Sequence, residues 1–355
     1  MPIIGDNLLR NSQLTEMSER LIMSVNPNKI LDLTNAFFDS CVLFAASDAG
    51  IFAKLDQLKQ ANCQTIADEL KLNERGARLL LDGAVAIGLL NKTDDLYENA
   101  PEASAFLVPG KPGDLSKAIR YNRDVYPAWG SLRDFANTGA PVERPELHLG
   151  DDKDRTRTFV LSMHSRCLAI GQAVVPMLDF SKCEKLLDCG GGPGTYSALI
   201  AKRNPQINCT VLDLPAVVEI AGELIEEAGL SEQVKTLPGS YHETEFPKDQ
   251  DAVNFFGVLH QESPAAILAL FKRAFEALKP GGQINVLDMM TDATRTAPKF
   301  SALFAINMAL TTNNGWVFSD ADVKSWLEEA GFIDVDVSPL PAPMPHWLAT
   351  AKKPS

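Results

Sequence analysis

Several things are scarce in this chain of 355 residues. No window of about eighteen residues is both apolar and uncharged, so no membrane span is expected. Positive charge is in deficit: 33 Lys and Arg stand against 46 Asp and Glu, a net charge of −13. No dense Lys/Arg run occurs, which argues against a nucleic-acid partner. The acidic residues are scattered and read as a solvated surface that keeps the protein in solution. Cysteine is sparse, at 41, 63, 167, 183, 189 and 209, with no C-x-x-C pair. These cysteines read as reduced, buried hydrophobes in a cytoplasmic protein. His148, His164, His242 and His346 show no metal-ligand spacing, so no metal is expected. A G-x-S-x-G motif, a Cys/His nucleophile pattern, internal repeats and low-complexity tracts are all missing. The opening Met1-Pro2-Ile3-Ile4-Gly5-Asp6-Asn7 lacks the basic and apolar regions of a secretory signal.

What remains is an ordinary globular balance, 45% hydrophobic and 22% charged, at a length that favours more than one domain. Residues 1–26 read as a peripheral helical lead-in. Ile30, Leu31, Leu33, Phe37, Phe38, Cys41, Val42, Phe44 and Ala45 then form a helical stripe too wide for one face. Such a helix is covered on most sides, either by a core or by another chain. A short helix follows in 64–72, with a Thr65 cap expected. A second runs from Ala77 to Ile87, and a two-stranded wing covers 89–97. The unit 61–107 therefore reads as a winged helix-turn-helix. Four basic residues there (Lys71, Arg75, Arg78, Lys92) face eight acidic ones (Asp68, Glu69, Glu74, Asp82, Asp94, Asp95, Glu98, Glu102). That balance suits protein contact better than DNA, hence a dimerisation module. Helical connectors occupy 108–180, broken at Pro141-Val142-Glu143-Arg144-Pro145.

The second half changes character. Strands at 186–187, 209–212, 252–256 and 284–287 alternate with helical text to Arg203, through Ala228 and over 264–278, the last ended by Lys279-Pro280-Gly281-Gly282. That alternation predicts a parallel sheet covered on both faces, an α/β doubly wound fold. The expected domains are 1–107, 108–180 and 181–355.

Between the first strand and its helix stands Asp188-Cys189-Gly190-Gly191-Gly192-Pro193-Gly194-Thr195. Glycines there let a ligand approach the backbone, and the following helix N-terminus favours polar or anionic groups. Asp213 ends the next strand, placed to accept from two ribose hydroxyls. Loop and acid together indicate an adenosine-type cofactor without separating a dinucleotide from S-adenosylmethionine.

Four further features choose. The loop reads G-x-G-x-G after an Asp. Leu278-Lys279-Pro280-Gly281-Gly282 precedes a strand. Glu329-Ala330-Gly331-Phe332 closes a late helix, and residues 333–337 and 346–351 can form a terminal hairpin. Together these resemble the class I S-adenosylmethionine-dependent methyltransferases. With the winged helix, residues 30 to 351 resemble the small-molecule O-methyltransferase family typified by caffeate and acetylserotonin enzymes.

The resemblance implies a Rossmann-like sheet, S-adenosylmethionine as cofactor, a homodimer, and methyl transfer to a small hydroxylated or aromatic acceptor. It places Gly190, Gly192 and Gly194 at the methionine end, Asp213 on the ribose, and Leu214, Ser240 and Tyr241 near the adenine. His260 matches the family's general base and Asp288 the acid that orients it. Tyr126, Trp129, Phe159, Met163, Asn307 and Met308 match regions lining the substrate pocket. The chain departs from the pattern at Ser240, at Phe256 (where a Lys is common), at Gln261 after the histidine, and at Val317, near an expected Glu. One bracketing carboxylate is thus replaced. Three rivals follow: S-methylation of a thioether or thiol acid, which needs no base; a non-methylating hydroxylase or decarboxylase relative; and a winged-helix regulator.

Overall fold

The computed structural model describes residues 26–342 and 344–355; the expected lead-in falls almost wholly outside them. The chain divides between Gly113 and Asp114 into two compact units.

The first unit is mostly helical. Helices Asn28–Asn35 and Phe37–Asp48 replace the single helix expected, with the break at Ala36. They are not core helices. Ile30 is 70% exposed, Leu33 61% and Phe38 53%. For the first part of the stripe, through Phe38, burial in this chain's own core fails; Cys41, Val42 and Phe44 are half-buried. Behind them come helices Ile51–Leu58, Cys63–Leu70 and Glu74–Ala86. Asn62, not Thr65, caps Cys63–Leu70, accepting from the Thr65 amide at 2.9 Å. Glu74–Ala86 begins three residues before the expected Ala77, because Asn73 accepts from the Gly76 amide at 3.1 Å. An Asx cap outranks the glycine as a start signal. Strands β1 (Ala61–Asn62), β2 (Leu90–Thr93) and β3 (Leu96–Asn99) form an antiparallel sheet in the order β1-β3-β2, so the wing gains a third strand. The buried Tyr97 donates to Asp82 at 2.7 Å, tying that sheet to helix Glu74–Ala86.

The second unit opens with helices Ser116–Gly130, Leu132–Thr138 and Lys153–Val174. Asp152 caps the last of these, and the break at 141–145 is observed. Asn28–Asp48 and Lys153–Met177 have the length and mean hydropathy of a membrane span. The first is two helices, however, and the second buries Thr156, Val160, Ser162, Gly171 and Val174 within the protein.

A seven-stranded sheet follows: β4 (Lys185–Cys189), β5 (Asn208–Asp213), β6 (Val234–Pro238), β7 (Gln250–Phe256), β8 (Leu278–Met289), β9 (Ile333–Pro339) and β10 (His346–Lys352). Their order is β6-β5-β4-β7-β8-β10-β9, parallel from β6 to β8, with β10 antiparallel to both neighbours. Chain order reverses beside β4, which puts the crevice at the carboxyl ends of β4 and β7. Helices Thr195–Arg203, Pro215–Glu227, Pro264–Ala277 and Asp320–Glu329 cover the faces, over two apolar clusters.

Among the elements that escaped the sequence reading, two belong to the second unit. The edge strand β6 carries Lys235 and Thr236 and has no long apolar run. Helix Lys299–Thr311 is apolar all round, so no face stands out. The expected turn at Lys279-Pro280-Gly281-Gly282 is instead a wide bulge inside β8: Gln250 pairs with Leu278, and Ala252 already with Gln283. The six cysteines are free; Cys183, Cys189 and Cys209 are buried, the others half-buried.

A polar pair crosses the centre of the sheet. Asn285 donates to its register partner Asn254 at 2.8 Å, and both are buried. Replacing Asn285 alone with Val leaves the Asn254 side-chain oxygen without its donor and should cost about 1–3 kcal/mol in chemical unfolding. Replacing both should cost less than the sum of the single changes. Additive losses would show that the pair is not coupled.

Candidate active site

The glycine loop leaves β4 with three left-handed glycines. Gly190 has φ +65°, and a Cβ there would meet Val258 Cγ2 at 2.5 Å, so the close approach of the next loop requires glycine. Gly192 differs: its φ is +54° and nothing lies within 4 Å of an added Cβ. Open space faces the backbone at that point. Gly194, at φ +69°, caps helix Thr195–Arg203.

Asp213, at the end of β5, reaches back to this loop. One carboxylate oxygen accepts from the Gly192 amide at 2.7 Å and the other from the Leu214 amide at 2.7 Å. Burial pushes its pKa up to about 6, against those two bonds. Each oxygen keeps a second lone pair for a ligand hydroxyl. Open space at Gly192, backbone amides in the loop and an acid beside it fit the ribose and methionine portions of an S-adenosyl cofactor.

The next edge residues form a second cluster. Tyr241 donates to Glu262 at 2.6 Å, and its Cε1 would stand 3.4 Å from a Cβ on Gly190. Its hydroxyl is therefore engaged, leaving the ring to face the loop. Ser240 accepts from the His242 amide at 3.2 Å, a local turn. His242 also bonds Glu262, at 3.0 Å. Leu214 packs against Val160, Val217 and Ile220.

His260 and Asp288 meet as expected. Asp288, next to last in β8, is buried, and one of its oxygens lies 2.7 Å from His260 Nδ1. The same carboxyl group accepts from the amides of Met289 at 2.8 Å, Leu259 at 3.1 Å and His260 at 3.2 Å. Four bonds fix the acid, and the acid fixes the ring. With Nδ1 donating to the carboxylate, Nε2 is left as the acceptor nitrogen. Phe304, on helix Lys299–Thr311, packs edge-on against the imidazole, centroids 5.1 Å apart. The Trp316 amide donates to the His260 carbonyl at 2.9 Å and its indole to the Glu262 carbonyl at 2.6 Å. Where a bracketing carboxylate was expected, near Val317, the chain instead clamps the histidine loop from its backbone. Sequence reading singled out neither Phe304 nor the Trp316 clamp, because both depend on which loops meet.

Of the expected pocket residues, Trp129 and Asn307 are brought together by a 2.9 Å bond. Asn307 also lies 3.5 Å from the Tyr121 hydroxyl, and Phe159 packs on Tyr121 with centroids 5.7 Å apart. Met308 is buried and Met163 half-buried, whereas Tyr126 is exposed. His164 bonds the Thr195 hydroxyl at 2.8 Å, just past the glycine loop, a contact that no local pattern announces.

Asp188, behind the loop, accepts from Ser197 at 2.7 Å through one oxygen, while the other has no partner among the described residues. Burial raises its pKa from 3.8 to about 6, and the Asp213 charge adds to that. Asp188 therefore favours folding fully only below about 3.8, and the favour is lost as pH rises through about 6. Asp188→Asn lacks this loss. In chemical unfolding it should gain on the wild type by up to about 3 kcal/mol from pH 4 to 7, and a flat difference would refute the shift.

With the geometry in place, comparison with known proteins identifies both units. Residues 142–333 match the model of the O-methyltransferase domain, and residues 31–109 match the O-methyltransferase dimerisation domain. The tetracenomycin polyketide synthesis 8-O-methyl transferase TcmO of Streptomyces glaucescens is 29% identical over 338 residues, 92% of this chain and 97% of that one. Acetylserotonin O-methyltransferase of Bos taurus is 28% identical, over 86% of this chain and 92% of its own. The crystal structure of human N-acetylserotonin methyltransferase in complex with SAM superposes with a TM-score of 0.83 at 25% identity, covering 94% of this chain and 99% of the other. The O-methyltransferase model alone spans more than half of the sequence, and the chain belongs to the S-adenosylmethionine-dependent O-methyltransferase family.

Proposed function

We propose that the chain methylates a hydroxyl oxygen of a small molecule, with His260 as general base and Asp288 as its orienting partner. The observation carrying this reading is the 2.7 Å His260–Asp288 contact at the carboxyl edge of the sheet. When bound, S-adenosylmethionine supplies an electrophilic methyl group on a positively charged sulfur. Gly190, Gly192 and Gly194 would hold its methionine end and Asp213 its ribose. Leu214, Ser240 and the ring of Tyr241 would border the adenine. Trp129, Phe159, Met163, Asn307 and Met308 supply apolar and amide surface for the acceptor; the exposed Tyr126 is the weakest candidate of that set. His260 Nε2 takes the hydroxyl proton as the oxygen attacks, and Asp288 stabilises the imidazolium that results. The four bonds to Asp288 keep the ring from turning away, so alignment is set before reaction. The two relatives described above are named for O-methylation, which supports a hydroxyl acceptor.

The chain works as a homodimer in this reading. The dimerisation-domain match and the exposed stripe of Ile30, Leu31, Leu33, Phe37 and Phe38 support it, since so many apolar side chains in one stretch are seldom left to water. Six free cysteines support a reducing, cytoplasmic location.

Labelled methyl transfer from S-adenosylmethionine to a panel of hydroxylated metabolites tests the activity. His260→Ala should lower kcat/KM by about 10²- to 10⁴-fold while leaving S-adenosylhomocysteine affinity intact. Asp288→Asn should also lower it, since an amide no longer fixes the tautomer. Undiminished turnover in His260→Ala would remove the base from the mechanism. Leu33→Asp combined with Phe37→Asp should halve the mass seen by light scattering. An unchanged mass would place any dimer contact elsewhere.

A further inference from the structure

Residues 239–249 join β6 to β7 and open with a single turn that brings Tyr241 to the glycine loop. The Glu243 and Thr244 amides both donate to the Ser240 carbonyl, at 3.0 and 2.8 Å, which closes the turn. No backbone amide among the described residues takes the carbonyls of Tyr241, His242 and Thr244. Carbonyls beyond a strand end need a partner from elsewhere. Arg273 supplies it for all three. One terminal nitrogen of its guanidinium donates to the Tyr241 carbonyl and to the His242 carbonyl, the latter at 2.6 Å, and the other donates to the Thr244 carbonyl.

Arg273 belongs to helix Pro264–Ala277, which starts just after the histidine loop. It is half-buried, and its Cζ stands 4.3 Å from the ring centroid of Phe246, a buried member of one of the sheet's apolar clusters. A planar guanidinium with five donors can span several carbonyls while one of its faces rests on an aromatic ring. Those hydrogen bonds and that ring contact all go to one stretch of chain, 241–246. The side chain of Tyr241 is held separately, by its bond to Glu262 at 2.6 Å. Main chain and side chain of Tyr241 are thus fixed from two different elements, with its Cε1 left 3.4 Å from where a Cβ on Gly190 would stand.

We propose that Arg273 is a positioning residue for the cofactor: its hold on the 241–244 carbonyls sets where Ser240 and Tyr241 stand, and so sets affinity for the base. This rests on the S-adenosylmethionine reading, in which those two residues border the adenine. Arg273 acts through the turn and not by contact with the ligand. Without it, the turn is tied by the side-chain bonds to Glu262 and by the Gly239 amide, which donates to the Asp213 carbonyl at 2.9 Å. Asp213 and the glycine loop keep the bond they share, at 2.7 Å. The loss therefore falls on the base rather than on the ribose or the methionine end.

The test is calorimetry on the full chain with S-adenosylhomocysteine and S-inosylhomocysteine, which differ only in the base. The wild type should bind the adenine compound more tightly. Arg273→Gln should weaken S-adenosylhomocysteine by about tenfold or more, the scale of one hydrogen bond to a charged group, and weaken the inosine compound less. The preference for adenine then shrinks. Arg273→Lys should restore part of it, since an ammonium keeps the charge but not the fork. A variant that only populated its folded state less would lose both ligands equally. An equal loss, unchanged affinity for both, or a wild type without preference overturns the proposal. If the glutamine variant does not fold, the lysine variant decides: its preference falls below that of the wild type, or Arg273 does not position the turn. Failure of the wild type to bind S-adenosylhomocysteine would instead overturn the methyl-transfer reading itself.

Discussion

Two carboxylates at strand ends hold the functional edge together, and they do so in the same way. A parallel sheet leaves the amides beyond its carboxyl ends without ladder partners. Asp213, ending β5, takes the Gly192 amide from the loop after the neighbouring β4. Asp288, next to last in β8, takes the Leu259 and His260 amides from the loop after the neighbouring β7. Each acid anchors the loop of an adjacent strand. Glycine loop and histidine loop are thus fixed by one device used twice. Moving either strand by one residue would turn its acid to the other face and free the loop it anchors.

The same device sets the electrostatics. Asp188 and Asp213 are both raised to about 6 by burial, on either side of the glycine loop. Burying ionised acids is costly, and hydrogen bonds offset it: Asp188 accepts from Ser197, and Asp213 from the Gly192 and Leu214 amides. The glycines let the backbone come close. Gly190 is required by the approach of Val258, and Gly192 leaves the space in front of the loop open.

Much of this was legible in the sequence because the carriers are local. The loop 188–195, Asp213 at a strand end and His260 after an apolar strand each lie within a few residues of their structural context. Asp288 was legible only through strand adjacency in the resemblance, yet the contact is direct. What was not legible is what depends on distant loops meeting. Trp316 on the His260 carbonyl, Phe304 on its ring and His164 on Thr195 join segments that share no pattern. Tyr241, expected near the adenine, turns its ring toward Gly190 and gives its hydroxyl to Glu262. In the first unit, side-chain caps from Asn62 and Asn73 moved helix starts that apolar periodicity had set by threes and fours.

The departures from the family pattern then have a common physical meaning. Gln261 and Val317 remove carboxyl groups from the flanks of the histidine, and with them any competing acceptor for its ring. Glu262, one residue on, is turned toward Tyr241 and His242 and so braces the loop that follows β6. The Trp316 backbone and indole hold the same loop from the opposite side. Orientation of the imidazole therefore falls on Asp288 alone, while rigidity of the loop is supplied by neutral and peripheral bonds. One buried acid takes the ring nitrogen together with three backbone amides, so the direction of the imidazole and the course of its loop are set by the same carboxyl group.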